Sequence, residues 1–148
     1  NVRSTEINAV MGRKQLRRLD LNNEKRTANL RLFLNLLDPK RYRTDFALEG
    51  SCNYAFTLVL TEPDDKLMHA VMSALTRANV EFRRGTAGGG NQTRQPYVRK
   101  RLGDDVWKAF PKVDHVHHYG VYIGNFPELE GDRIRRLCRL LNELPVPG

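Results

Sequence analysis

The N-terminal segment constrains the fold most: from Ser4 to Leu37 the chain reads as helix, with Ser4 or Thr5 as N-cap, Glu6 in the first turn and Asp38-Pro39 as the stop. At about 100° per residue, Ile7, Val10 and Met11, joined by Leu32 and Leu36, form one apolar stripe. Leu16, Leu19, Leu30, Phe33, Leu34 and Leu37 form another on nearly the opposite side. A helix apolar on two sides has to be covered from two directions. Otherwise the segment divides into two shorter amphipathic helices, with Asn22-Asn23 as the bend.

Beyond Pro39 the pattern changes to short strands separated by helices. Asn53 to Leu60 is aromatic and β-branched and is bounded by Gly50-Ser51 and Glu62-Pro63, so it predicts a strand. Asp64 to Ala78 predicts a helix with Met68, Val71, Met72 and Leu75 facing the core, acidic residues at its start and Asn79 to close it. Val80 to Arg83 alternates as a strand, Pro111 to Tyr119 reads as a helix with proline in its first turn, and Val121 to Ile123 is a third strand. Gly131 to Leu141 predicts the last helix, with Ile134, Leu137, Cys138 and Leu141 inward and its arginines in water. The fold class is α+β: a small, mostly antiparallel three-stranded sheet with helices packed on one face, preceded by a long linking helix. At 148 residues the chain fits one domain, residues 1–38 forming the linking helix and 50–148 the α+β core.

Charge narrows the choice of ligand. The net charge of +8 favours nucleic acid, an anionic surface or a phosphate-bearing molecule, although the arginines and lysines are spread out as solvated helix faces. Charge concentrates where Val80–Arg83 leaves its strand: Arg83-Arg84-Gly85-Thr86-Ala87-Gly88-Gly89-Gly90-Asn91-Gln92-Thr93-Arg94-Gln95-Pro96-Tyr97 sets three consecutive glycines between arginines. Glycines let backbone approach a ligand closely, and arginine forks grip oxyanions, so this loop is a candidate anion site as well as an ordinary surface loop. It is neither a Walker loop, because no Gly-Lys-Ser/Thr comes after it, nor a Rossmann turn, because it does not open a helix in a βαβ unit.

Other chemistries have thinner support. Cys52 and Cys138 lie far apart in apolar patterns and read as small buried hydrophobes. Asp114 and His118 stand four apart on a predicted helix, as metal ligands can, yet neither His117, His115 nor His69 supplies an evident third ligand. No Gly-x-Ser-x-Gly elbow is present. Tyr54, Phe56, Phe82 and Tyr97 beside arginines suggest a stacking platform for bases, without any ribonucleoprotein, zinc-finger or helix-turn-helix pattern to support it. No run approaches the ~20 apolar residues of a membrane span, and no secretory signal is visible. The expected location is the cytoplasm.

Three motifs in order, covering nearly the whole chain, resemble a known family. Asn1-Val2-Arg3-Ser4-Thr5-Glu6-Ile7, with Gly12 and Gln15-Leu16, is similar to the Asn-x-Arg-x-(Thr/Ser)-Glu and Gly-x-x-Gln-Leu segment of the DegT/StrS pyridoxal-phosphate-dependent sugar aminotransferases. Gly90-Asn91-Gln92-Thr93-Arg94-Gln95-Pro96 and Gly120-Val121-Tyr122-Ile123-Gly124-Asn125-Phe126-Pro127 resemble most the branch containing nucleotide-sugar 3-dehydratases. The resemblance implies the small C-terminal domain of a fold type I enzyme that acts as a homodimer on a nucleotide-linked 4-keto-6-deoxy sugar in lipopolysaccharide or surface-polysaccharide biosynthesis. It further implies pyridoxal 5'-phosphate or pyridoxamine 5'-phosphate as cofactor, held mainly by an N-terminal domain preceding Asn1.

That preceding domain would carry the Schiff-base lysine, or its histidine counterpart in the dehydratases, so the chain by itself is expected to be inactive. By motif, Asn1 and Arg3 would contact the cofactor's phosphate corner, and Gly90, Asn91, Arg94 and Tyr97 would face the substrate. Tyr122 could stack on a base or sugar, although its strand position favours burial in the core. A non-enzymatic basic nucleic-acid-binding module is the competing reading.

Overall fold

A computed structural model describes residues 5–84 and 90–145. The N-terminal segment is two helices, α1 at Glu6–Leu16 and α2 at Leu19–Leu36. Thr5 caps α1, its hydroxyl accepting from the Asn8 backbone N–H at 3.4 Å, while Ser4 lies outside the described residues. The break falls at Arg17-Arg18 and not at Asn22-Asn23, which sit inside α2. There the Arg18 N–H bonds the Gln15 carbonyl at 3.0 Å, an i−3 bond that tightens the last turn of α1 and lets α2 leave in a new direction.

Three strands form one antiparallel sheet in the order β1-β3-β2: β1 at Ala55–Val59, β2 at Phe82–Arg84 and β3 at Gly120–Gly124. Register places Phe56 opposite Ile123 and Ile123 opposite Phe82, and sets Thr57, Tyr122 and Arg83 in the neighbouring row. Because strand side chains alternate, these two rows look to opposite faces. The inner row carries Phe56, Leu58, Val121 and Ile123 into the core, where they meet Leu30, Phe33 and Leu34 of α2. Phe33 stacks on Phe56 with ring centroids 4.5 Å apart.

Two further helices complete the layer. In α3, Asp65–Arg77, the Asp64 carboxylate accepts from the Leu67 N–H at 2.8 Å, and Leu67, Met68, Val71, Ala74 and Leu75 are buried. Asn79, at φ +53°, turns the chain out of α3 as a left-handed residue suited to that position. The last helix, α6 at Gly131–Asn142, buries Ile134, Cys138 and Leu141. Its end also serves α2: the Asn142 amide donates to the Leu36 carbonyl at 2.8 Å and its oxygen accepts from the Asp38 N–H at 3.0 Å, satisfying groups that a helix terminus leaves orphaned. Tyr42, fully buried, donates its hydroxyl to the Leu141 carbonyl at 2.8 Å, and burial pushes that phenol up to about 12.

Several expectations need correction. Leu16 and Leu19, expected on the buried stripe, are 68% and 44% exposed, because the turn at Arg17-Arg18 separates α1 from the core that α2 enters further along. Cys52 is exposed just ahead of β1, with its thiol 2.9 Å from the Asn23 side-chain oxygen, whereas Cys138 is buried as expected and its thiol is raised to about 12 by that burial. Tyr122 is half-buried on the outer row of the sheet, edge-on to Tyr54 at 6.4 Å, and not in the core.

Candidate functional site

The glycine loop leaves the end of β2 at Arg84; its residues 85–89 lie outside those described, and the chain is picked up again at Gly90. From there the loop's exit is more ordered than the sequence alone predicts. Asn91 caps a turn of 3-10 helix at Gln92–Arg94, its side-chain oxygen accepting from the Thr93 N–H at 3.1 Å. Pro96 then opens a short helix, α4 at Pro96–Leu102, whose preset φ suits a first helical position. Gly103, at φ +101°, ends α4 in a conformation that side chains rarely adopt. A second 3-10 turn at Val106–Ala109 carries Trp107, and α5, Pro111–Tyr119, runs directly into β3. The junction is close: a Cβ on Gly120 would meet the Val116 carbonyl oxygen at 2.5 Å.

This arrangement folds the loop's exit back onto α5. Asn91 is 2% exposed, its backbone N–H donates to Nδ1 of His117 at 3.2 Å, and its amide donates to Asp114 Oδ1 at 3.2 Å. Arg94 makes a paired contact with the same carboxylate, Nε to Oδ1 and Nη2 to Oδ2, the latter at 2.8 Å. Its guanidinium also lies 3.9 Å above the Trp107 ring. Two in-plane bonds and one stacked face fix a planar fork in all directions. The Nη1 edge is left without a hydrogen-bond partner among the described residues, and the Arg94 side chain keeps 29% of its surface exposed.

Electrostatics derive from that geometry. The Arg94 guanidinium, helped by the Asn91 amide, overcomes partial burial and holds the Asp114 carboxyl at about 2, so it is ionised at any physiological pH. Arg94 in turn is raised by Asp114. His117 is lowered from its ordinary value, first by burial and then by the positive charge of His118 and Arg94. A neutral His117 with its proton on Nε2 is the form that can accept from Asn91, since a protonated ring has no acceptor. Nearby, Arg84 donates through Nη2 to the His118 carbonyl at 2.6 Å, and its buried Nε has no partner among the described residues.

The residues read from the sequence therefore have different surroundings. Asn91 and Arg94 come together with Asp114 and His117; Gly90 is half-buried next to them. Tyr97 is 64% exposed on α4, its hydroxyl donating to Gln92 Oε1 at 3.1 Å. Asn1 and Arg3 lie outside the described residues. Asp114 and His118, paired in the sequence as metal ligands, are 3.8 Å apart, and Asp114 already accepts from Arg94 and Asn91. Among the described residues no group of three His, Cys, Asp or Glu side chains is arranged to hold a metal.

Sequence reasoning missed the roles of Trp107 and His117. The one signal available was the spacing of Asp114 and His117, which an i, i+3 separation places on neighbouring positions of a helix. A separate cleft of about 540 Å³, lined by Tyr54, Phe82, Phe126, Ile134 and Leu137 among others, opens at the other end of the sheet, where β1 begins and β3 ends.

Among known proteins, the sequence model of the DegT/DnrJ/EryC1/StrS aminotransferase family matches residues 1–142. No curated protein matches. Two solved structures share the fold: a GDP-4-keto-6-deoxymannose-3-dehydratase with a trapped PLP-glutamate geminal diamine, at a TM-score of 0.70, and the E. coli GDP-4-keto-6-deoxy-D-mannose-3-dehydratase with bound hydrated PLP, at 0.75. Each is 21% identical over 95% of this chain, which spans 36% of the length of either.

Proposed function

We propose, from the premise that this chain belongs to the DegT/DnrJ/EryC1/StrS aminotransferase family, that it is the C-terminal domain of a pyridoxal-phosphate-dependent enzyme acting on a nucleotide-linked 4-keto-6-deoxy sugar. The parent enzyme transaminates the keto carbon or, as sibling chemistry, removes a hydroxyl, in the cytoplasmic synthesis of lipopolysaccharide or another surface polysaccharide. The observation that carries this reading is the family match over residues 1–142, supported by a fold shared with two 3-dehydratases. No helix among the described residues is long and apolar enough to cross a membrane.

The donors at the loop's exit suit phosphate oxygens. The free Nη1 edge of Arg94 matches an oxygen of a sugar nucleotide's diphosphate, with Arg84 adding positive charge and the buried Asn91, tied to the same Asp114 carboxylate, fixing the segment. Gly90 allows close approach of the sugar, and exposed Tyr97 offers a ring for a base or sugar face. This domain thus binds and orients the nucleotide end of the substrate and closes the site against water. Asn1 and Arg3 are assigned to the cofactor phosphate, across the interface of a homodimer. The cofactor supplies an electron sink for bond breaking next to the amino-bearing carbon. Residues N-terminal to this chain hold most of it.

The test is to purify the full-length protein and follow cofactor absorbance together with turnover of a 4-keto-6-deoxy nucleotide sugar. Bound cofactor and conversion of the sugar are expected. A full-length protein that binds neither, or one that instead binds RNA or DNA with steep salt dependence requiring Arg83 and Arg94, overturns the reading in favour of a nucleic-acid module.

A further inference from the structure

Arg94 has an unusual neighbour for a group meant to bind an anion. Its most direct partner is a carboxylate, Asp114, whose charge opposes that of any phosphate brought to the same place. By charge alone, removing Asp114 should tighten anion binding. The geometry argues the other way. Asp114 occupies the Nε and Nη2 edge of the fork, Trp107 covers one face at 3.9 Å, and the Nη1 edge is what remains. Without the carboxylate, the guanidinium would swing on four rotatable bonds and lose that rotamer freedom on each binding event. The same carboxylate holds the Asn91 amide, and His117 holds the Asn91 backbone N–H, so one turn of α5 fixes both ends of the segment.

We propose that Asp114 is a positioning residue for the diphosphate of the substrate: it sacrifices charge attraction at Arg94 to hold the guanidinium in one orientation, with Nη1 turned to the ligand and Asn91 tethered beside it. This rests on the reading of the loop as the nucleotide-sugar site. It goes beyond that reading by assigning a role to an acidic side chain that touches no ligand. The distinguishing consequence is a sign. Positioning makes removal of a negative charge weaken anion binding, whereas electrostatics alone makes it strengthen binding.

The experiment uses the full-length protein, calorimetric titration with inorganic diphosphate, and the variants Arg94→Ala, Asp114→Ala, Asp114→Asn and the double variant Arg94→Ala with Asp114→Ala. Arg94→Ala should weaken binding about tenfold or more, the loss of a charged hydrogen bond. Asp114→Ala should weaken it about three- to tenfold despite the charge removed. Asp114→Asn, which keeps the acceptor for Nε but sets an amide against Nη2, should fall between wild type and Asp114→Ala. In the Arg94→Ala background, adding Asp114→Ala should no longer weaken binding, because the guanidinium it orients is gone and what is removed is the charge opposing the anion.

Tighter binding by Asp114→Ala, or an equal loss with and without Arg94, overturns the positioning role. A wild-type protein that does not bind diphosphate, or an Arg94→Ala variant that binds it unchanged, instead sinks the assignment of this loop as the substrate site, and the positioning role with it. Circular dichroism of each variant separates a folded protein with altered binding from one that has not folded, and Asp114→Asn keeps the test decisive if Asp114→Ala does not fold.

Discussion

The two halves of the N-terminal arm are built from the same residue types and meet opposite fates. In the second half of α2, Phe33 is fully buried against Phe56, and Leu30, Leu34 and Leu37 are buried with it. In α1 and the first turns of α2, Ile7 is 71% exposed, and Val10, Met11, Leu16 and Leu21 are exposed with it. Apolar content does not separate them. What separates them is a partner: α6 and the sheet lie under one half, and no described residue buries the apolar side chains of the other. An apolar stripe of five or six residues in water forgoes about 1.5–3 kcal/mol for each side chain that could have been buried.

The largest expected effect falls on the covered half. Phe33→Ala should destabilise this chain by about 3–5 kcal/mol in urea unfolding, since it removes a stacked ring from a packed site that cannot collapse onto the gap. A loss below about 1 kcal/mol would break the comparison at its root. Next comes the boundary where the arm is pinned. Asn125, 2% exposed, donates to the Arg26 carbonyl at 3.0 Å and the Asn53 carbonyl at 2.9 Å and accepts from Asn29 at 3.2 Å. Asn125→Ala removes these three bonds and should cost about 1–3 kcal/mol, read as loss of amide protection around Arg26 to Asn29 by hydrogen exchange.

Acid should tell the apolar core from the polar clamp on α5. Asp114 is held at about 2, below its ordinary 3.8, so its contribution is complete above the ordinary carboxyl range and is lost as pH falls through about 2. A shift of that size corresponds to about 2 kcal/mol. His117, lowered from 6.5 by burial and by the charges of His118, Arg94 and Arg84 against the pull of Asp114, acts in the same direction but earlier, since the unfolded chain takes up its proton first as pH falls. Stability should therefore decline from about pH 6.5 downward, with its last stage removed by Asp114→Asn. A profile that Asp114→Asn leaves unchanged would show that the clamp is not coupled to folding.

How much of this was legible depended on whether the signal was local. Acidic Asp64 and Asp65 at its start, with Met68, Val71 and Leu75 after them, announced α3, and Pro111 announced α5, because end charges and periodicity act within a few residues. By contrast α4 buries no residue, so Pro96–Leu102 carries no apolar stripe to detect. The clamp was less visible still. Asn91 and Arg94 were singled out from their loop, but their pairing to Asp114 spans 20 residues or more and depends on α5 folding back, which no spacing rule encodes. Cys52 misled for a related reason: its neighbours form a strand that begins three residues later, so it inherited an apolar context without the burial.

The smallest expected effect is the most informative about the exposed half. Replacing Ile7, Val10 and Met11 together by serine should change the stability of this chain by no more than about 0.5 kcal/mol, because each is exposed and none makes a core contact. If the cofactor domain and partner subunit of the proposed full-length dimer cover the stripe, the same triple change there should cost several kcal/mol, or shift the protein from dimer to monomer in sedimentation. A neutral result in both settings would mean that the stripe has no partner. It would leave the comparison of the two halves as one between a packed helix and a solvated one.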